Sequence, residues 1–92
     1  MRKHGKVDDT QDGIVKVLRG IGVSVEILSS VGDGFPDLLV GFRGQNILLE
    51  CKRDSGKLTK DQLEWMAKWT GRRPQIVRSS HEALLAIGAI KQ

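Results

Sequence analysis

Three charged residues interrupt two apolar stretches near the middle of the chain. The segment "GFPDLLVGFRGQNILLECKR", residues 34–53, carries Asp37 at the start of the first stretch and Glu50 and Lys52 at the end of the second. A tight turn around Arg43-Gly44-Gln45 predicts a β-hairpin in which residue i lies opposite residue 87 − i. Asp37 then faces Glu50 on one side of the sheet, with Cβ atoms about 5 Å apart, and Lys52 shares that side.

Two carboxylates that face each other beside Leu39 and Leu48 should repel, and burial raises that cost. A divalent cation would remove the repulsion, because Mg²⁺ and Mn²⁺ take oxygen ligands, commonly carboxylates with water and substrate phosphate. The backbone carbonyl of Cys51 could add a third oxygen. Lys52 could orient or deprotonate an attacking water and neutralise a phosphate. The group therefore predicts metal-assisted phosphodiester hydrolysis.

An ordinary hairpin is the alternative interpretation of these charges. Pro36-Asp37 would then be turn residues, and Glu50 and Lys52 a solvated pair on an exposed face. The segments Leu38-Leu39-Val40 and Ile47-Leu48-Leu49 are apolar at consecutive positions, which predicts central strands buried on both faces. Burial of the strands favours a functional site over a solvated pair.

The elements that would position these charges follow an αβββαβα order, which predicts an α/β fold with a mixed sheet flanked by helices. The first helix has an apolar stripe of Ile14, Val17, Leu18 and Ile21, and the last begins after Ser79 with Glu82 as a capping box. The predicted helices span 8–20, 59–70 and 80–87, and the predicted strands span 23–28, 37–41, 46–52 and 75–78.

Composition sets wider limits on the class of protein. With 92 residues, the chain is predicted to form one domain, residues 1–92. A net charge of +4 favours a polyanionic partner such as nucleic acid. Cys51 is the single cysteine, which excludes an internal disulfide and a cysteine-based zinc cluster. No apolar run reaches the ~20 residues of a membrane span, and the first residues lack a signal-peptide pattern, so a cytoplasmic protein is expected.

At Pro36-Asp37 and Glu50-Cys51-Lys52 the sequence resembles the PD-(D/E)XK nuclease superfamily. The stretches "VGDGFPDLLVGFRGQNILLECK", "KLTKDQLEWMAKW" and "DDTQDGIVKVLRGIG" look more closely like the virus-type replication-repair nuclease (VRR-NUC) domain in its stand-alone, phage-associated form. The resemblance covers about residues 8 to 70. It implies a restriction-endonuclease-like core and a metal-dependent DNA endonuclease, in which Asp37 and Glu50 bind Mg²⁺ or Mn²⁺ and Lys52 is catalytic.

The resemblance also implies partners and a setting. Stand-alone members resemble archaeal Holliday junction resolvases and act as dimers on branched DNA, here encoded by a phage and working in the host cytoplasm. Related resolvases carry a glutamate on the first helix that assists metal binding, where this chain has Gln11. An amide binds a cation less well than a carboxylate, and Asp8 could take over that role.

Two glutamines fall on the core-facing sides of predicted helices. Gln11 lies among Val7, Ile14, Val15 and Leu18, and Gln62 lies among Leu58, Leu63, Trp65, Met66 and Trp69. Both could reach toward the metal site and hold water or phosphate. Alternatively, Thr59-x-x-Gln62 is a capping box and Asp8-x-x-Gln11 approximates one, so each amide would only satisfy a helix N-terminus.

The tryptophans and the basic residues each allow two interpretations. Trp65 and Trp69 are interpreted as core, with stacking on DNA as the alternative. The basic residues Arg72 and Arg73, with Lys52, Arg53, Lys57 and Lys60, could follow a DNA backbone or form only a solvated rim.

The sequence leaves two alternative functions open and predicts one mode of assembly. The rivals to a nuclease are a catalytically silent nucleic-acid-binding module and a small protein-interaction domain. The C-terminal helix, with Ala83 to Ile87 and Ile90, is more apolar than one core-facing stripe requires, which predicts a homodimer. No small-molecule cofactor is expected.

Overall fold

The computed structural model describes residues 9–92 and has an α/β fold with three helices and a four-stranded mixed sheet. The predicted order is confirmed, with β2 and β3 shifted by one residue and several elements shorter than predicted. Val7 and Asp8 lie outside the described residues. In chain order the elements are α1 (Asp9–Gly20), β1 (Ser24–Ile27), β2 (Leu38–Phe42), β3 (Gln45–Cys51), α2 (Lys60–Lys68), β4 (Gln75–Val77) and α3 (Ser80–Ile87).

The sheet has the strand order β1-β2-β3-β4, with two antiparallel pairings followed by a parallel one between β3 and β4. Arg43 and Gly44 both have positive φ, 50° and 78°, which is the backbone of a two-residue type I′ hairpin turn. Gln45 is therefore the first residue of β3 and not a turn residue. The predicted register is confirmed, because Leu38 pairs with Leu49.

One face of the sheet forms the core under α1 and α3. Leu38, Val40, Ile47 and Leu49 alternate along the central strands and are fully buried. They pack with residues of the remaining strands and of the two helices, namely Ile14, Val15, Leu18, Val23, Val25, Val77, Ala83 and Ile87.

The composition of the buried stripe on α1 differs from the prediction. Val17 and Ile21 were predicted to be buried and are exposed. Ile21 follows the end of α1 at Gly20, whereas Val15 is buried next to Ile14 and Leu18, on the core-facing side where it was predicted to lie. The spacing of apolar residues predicts which side of the helix is apolar, but it does not predict the angle at which α1 packs against α3.

Helix α3 begins as predicted, but its capping box is only half formed. The Ser79 hydroxyl accepts a hydrogen bond from the Glu82 backbone N–H at 3.1 Å. The reciprocal bond is different from the prediction, because Glu82 Oε1 accepts from the backbone N–H of Arg78 at 2.8 Å. The helix ends at Gly88, whose φ of 80° is left-handed.

The other face of the sheet carries α2 and is only partly covered. None of the residues of α2 is buried, and Leu39 and Leu48 beneath this face are half-buried. The prediction that the central strands are buried on both faces is therefore wrong for this face. The core assignment of Trp65 and Trp69 is wrong as well, because Trp69 is 42% exposed and Trp65 is half-buried.

Trp65 of α2 and Trp69, the residue that follows the helix, pack on aromatic neighbours. Trp65 contacts Phe35 edge-to-face with ring centroids 5.3 Å apart, and Trp69 stacks on Trp65 at 4.6 Å with an interplanar angle of 17°. None of the helices between residues 9 and 92 has the length and apolarity needed to cross a membrane.

Candidate functional site

Asp37 and Glu50 meet at the end of the β2–β3 pairing, on the face that carries α2. Asp37 directly precedes β2, and its Oδ2 atom accepts a hydrogen bond from the backbone N–H of Cys51 at 2.9 Å. Glu50 lies within β3 and is 1% exposed. The two side chains are close enough for the charge of Asp37 to contribute to the raised pKa of Glu50. The predicted juxtaposition of Asp37 and Glu50 is thus present.

Burial makes Glu50 hard to ionise. Desolvation, followed by the negative charge of Asp37 and a hydrogen bond to the Asp37 carboxyl group, raises the pKa of Glu50 from 4.5 to about 8. The positive charge of Lys52 acts in the opposite direction but is weaker. Near neutral pH, Glu50 of the metal-free protein therefore holds its proton in most molecules.

Lys52 lies beside this pair without closing a tight ion pair. Its Nζ atom is 4.0 Å from Glu50 Oε2, and its side chain is 15% exposed. Its backbone N–H donates to the Val77 carbonyl at 3.0 Å, which extends the β3–β4 pairing and fixes where the side chain emerges. The ammonium group is near both the carboxyl pair and solvent, where it could meet a bound phosphate.

Gln62 joins the first turn of α2 to Glu50: it forms the predicted capping box and also reaches the carboxyl pair, while its holding of water or phosphate stays a prediction. Its Oε1 atom accepts from the Thr59 backbone N–H at 2.9 Å, and the Thr59 hydroxyl accepts from the Gln62 N–H at 3.2 Å, so the capping box is complete. Its Nε2 atom donates to Glu50 Oε2 at 2.8 Å. An amide has donor and acceptor on different atoms, so the two roles are compatible.

A close backbone contact holds α2 over the site. Gly34 has φ of 80°, and a Cβ atom at this position would collide with the carbonyl group of Asp61 in the first turn of α2. Gly34 therefore permits both the left-handed backbone and the approach of the loop to the helix. Phe35, the next residue, packs on Trp65 of α2.

The backbone of Cys51 faces Asp37, whereas its thiol faces the hydrophobic core. Its N–H points to Asp37, and its carbonyl lies on the same edge of β3, beyond the start of β2, where it could serve as the third oxygen ligand. Its side chain packs against the core on the opposite face. Burial, with the nearby charges of Asp37 and Glu50, raises the pKa of the thiol to about 12, so the thiol stays protonated near neutral pH in the metal-free protein.

Gln11 contacts the loop that leads to the site. Its Oε1 atom accepts a hydrogen bond from the Ser29 hydroxyl at 3.2 Å. Ser29 follows the end of β1 and begins the glycine-containing loop before Asp37. The structure thus gives Gln11 a loop contact, and its role in metal binding stays a prediction. Asp8, the proposed substitute, lies outside the described residues.

Arg78 is a positioning residue that the sequence did not reveal. Its Nη1 atom donates to three backbone carbonyls of the loop after β3, those of Arg53 at 2.7 Å, Asp54 at 3.1 Å and Gly56 at 2.8 Å. The loop begins directly after Lys52, so Arg78 orders the segment between Lys52 and α2. No local pattern could have predicted these contacts, because they join residues more than twenty positions apart.

The donor set at the site fits a hard divalent cation. Among residues 9–92 no group of three or more His, Cys, Asp or Glu side chains is placed to hold a metal ion. Two carboxylates and one backbone carbonyl are nevertheless a common protein share for Mg²⁺ or Mn²⁺, which keep several waters or take substrate oxygens. Buried Glu50 beside Asp37 is the observation that favours a cation here.

Comparison with protein-family models, with curated proteins and with solved structures finds no match to this chain.

Proposed function

We propose that the protein is a Mg²⁺- or Mn²⁺-dependent DNA endonuclease built on a PD-(D/E)XK core and selective for branched DNA such as four-way junctions. The observation that carries this proposal is the pair Asp37 and Glu50, which meet where the β2–β3 pairing ends, with Glu50 almost fully buried. A binding module gains nothing from a carboxyl pair in which burial, with the charge of Asp37, raises the pKa of Glu50 to about 8. A cation-binding site does, because the metal offsets both the repulsion and the desolvation.

Each residue of the site would have a separate role in hydrolysis. Asp37, Glu50 and the Cys51 carbonyl would hold the metal, which supplies Lewis-acid activation of the phosphate and a more acidic bound water. Lys52 would orient the attacking water and neutralise charge on the phosphate. The water oxygen forms a bond to phosphorus, the phosphorus–oxygen bond to one sugar breaks, and the leaving alcohol takes up a proton in place of the one lost by the water. Gln62 would keep Glu50 in place.

Basic residues around the site would contact the DNA backbone. Arg53 and Lys57 are exposed on the loop that Arg78 orders, and Lys60 is exposed at the start of α2. Arg72 is exposed and donates to Gln45 Oε1 at 3.0 Å, next to Arg73. With a net charge of +4, these cations favour a polyanion.

The test is to incubate the purified protein with Mg²⁺ or Mn²⁺ and end-labelled four-way junctions, flaps, duplexes and single strands of matched sequence. We expect metal-dependent cleavage of branched substrates and loss of cleavage in the variants Asp37→Asn and Glu50→Gln. Glu64→Gln is the matched control, because Glu64 is an exposed carboxylate on α2. Calorimetric titration with Mn²⁺ should show a site that Asp37→Asn removes and Glu64→Gln keeps.

Two results would contradict the proposal. DNA binding without cleavage, together with a Mn²⁺ titration that Asp37→Asn does not alter, would indicate a silent binding module. Absence of both DNA binding and a metal site would indicate a protein-interaction domain.

A further inference from the structure

The exposed side of α2 borders an open groove on the same sheet face as the carboxyl pair. The groove has a volume of about 260 Å³ and is lined by Leu39, Asn46, Leu48, Trp69, Gly71 and Arg72. Leu39 is two residues from Asp37, and Leu48 is two residues from Glu50. Side chains two residues apart on a strand share a face and lie about 6–7 Å apart, so the groove begins directly beside the carboxyl pair.

The groove pairs an aromatic ring with an apolar floor. The Trp69 indole is 42% exposed, although its ring is already stacked on Trp65 on one side. Gly71 lies against the indole, where a Cβ atom would come within 2.9 Å of Nε1. Half-buried Leu39 and Leu48 form the floor. An exposed flat ring over aliphatic side chains suits a planar aromatic ligand.

The polar groups of the groove suit a nucleotide. Asn46 supplies an amide with both donor and acceptor, and Arg72 supplies a guanidinium group that the bond to Gln45 holds at the rim. Among the described residues that line this groove, none is acidic. A second groove along α2 differs, because the acidic residues Asp33, Asp61 and Glu64 line it with Lys68, and this excess of negative charge would disfavour a phosphate.

From these contacts we infer that the groove binds one unpaired nucleobase of the nucleic acid, adjacent to the phosphate held at Asp37, Glu50 and Lys52. The base stacks on Trp69 and covers Leu39 and Leu48, while Arg72 contacts the neighbouring phosphate. This inference rests on the proposed function for the identity of the polymer. It adds that the substrate must present an unstacked base next to the site, as strand ends, flaps and branch points do. A second copy of this chain is a poorer occupant, since it would bring a basic rim to a basic surface.

The test compares two labelled probes in EDTA, so that it does not depend on metal or cleavage. One is a five-nucleotide oligothymidine, and the other has the same sugar-phosphate backbone with abasic sugars. Fluorescence anisotropy should give the wild type an affinity about 5–150-fold higher for the oligothymidine, the range expected for one stacked base. Trp69→Leu should lower this ratio to near one, because leucine keeps the apolar volume but removes the ring.

Matched variants separate stacking from other effects. Arg72→Ala should weaken both probes by a similar factor, since it removes only a phosphate contact. Leu63→Ala should keep the wild-type ratio, because Leu63 is an exposed apolar residue of α2 that does not line the groove. Thermal unfolding of each variant checks that the fold is retained.

The outcomes also separate this inference from the nuclease proposal. Equal affinity of the wild type for the two probes would overturn the base-binding groove, whether or not the protein cleaves DNA. A base-dependent ratio with no cleavage would keep the groove and contradict the nuclease. If Trp69→Leu turned a dimer into a monomer while leaving the ratio unchanged, the groove would be a subunit contact and the inference would be wrong.

Discussion

Glu50 is the residue whose chemistry depends most strongly on its surroundings. It is almost fully buried and lies beside the negative charge of Asp37, so its pKa rises to about 8. In the unfolded chain the ordinary value of 4.5 applies. Between these two pH values the folded state binds more protons than the unfolded state, so stability must fall as the pH rises.

This linkage predicts that metal-free wild-type protein loses stability between about pH 4.5 and pH 8. The Glu50→Gln variant should show almost no such slope and should be more stable than the wild type at pH 8 by about 3–5 kcal/mol, since each pKa unit corresponds to about 1.4 kcal/mol. Urea unfolding in EDTA from pH 5 to 8.5 measures the effect. Glu64→Gln should keep the wild-type slope, and an equal slope in Glu50→Gln would assign the pH dependence to another group.

Lys52 carries the second prediction at this scale. Its ammonium group is one cation among many for DNA binding but is 4.0 Å from the Glu50 carboxyl group, where the reacting phosphate would lie. Lys52→Ala should therefore lower the rate of cleavage by about 10²–10⁴-fold and leave DNA affinity within about threefold. Lys16→Ala, on the opposite side of the sheet, is the control for loss of charge. Cleavage within about tenfold of wild type would remove Lys52 from the mechanism.

At the scale of elements, the position of α2 determines the geometry of the site. The helix buries none of its residues, so the hydrophobic core does not hold it in place. It is attached at its N-terminal end by the approach of Gly34 to Asp61, by the packing of Phe35 on Trp65, and by the hydrogen bond from Gln62 to Glu50. A substitution at this attachment should therefore alter the geometry of the carboxyl pair without disturbing the core.

Gly34→Ala tests this attachment against a matched glycine. The substitution adds a Cβ atom where the Asp61 carbonyl lies and also strains a left-handed backbone, so we expect a loss of about 2–4 kcal/mol and weaker binding of Mn²⁺. Gly32 has a similar φ of 77° but no heavy atom within 4 Å of the added Cβ position. Gly32→Ala should lose only about 1–2 kcal/mol and keep metal affinity. Equal losses in the two variants would mean that backbone strain alone is responsible.

The sequence predicted the hairpin and the carboxyl pair because both depend on local chemistry. Arg43-Gly44 determines the turn type, the turn determines the register, and the register brings Asp37 to Glu50. The burial of α2 was not predictable in the same way. Periodicity shows that Trp65 and Trp69 share an apolar side, but it contains no information on how much of the sheet lies opposite.

At the scale of the whole molecule, a contact between subunits has to use apolar surface that the fold leaves exposed. The C-terminal helix predicted to form a dimer contact uses much of its apolar surface within its own fold, since Ala83 and Ile87 are buried and Leu84 packs against the core. Two of the exposed apolar side chains, Val17 and Ile21, lie on the adjacent helix α1 and just after it, and Ile21 is 57% exposed. The α1–α3 layer therefore offers a wider surface than α3 alone.

We predict a homodimer at micromolar concentration through this α1–α3 layer, which would leave both carboxyl pairs open on the opposite sheet face. Two sites related by a dyad match the near two-fold symmetry of a four-way junction, so each subunit could cut one of two opposing strands. Sedimentation equilibrium should show a dimer of the 10.2 kDa chain, and Ile21→Glu should convert it to a monomer. Ser55→Glu, which adds the same charge in an exposed loop, should leave the dimer intact. A wild type that stays monomeric with and without junction DNA would contradict the prediction, because one subunit has no second site for paired cleavage.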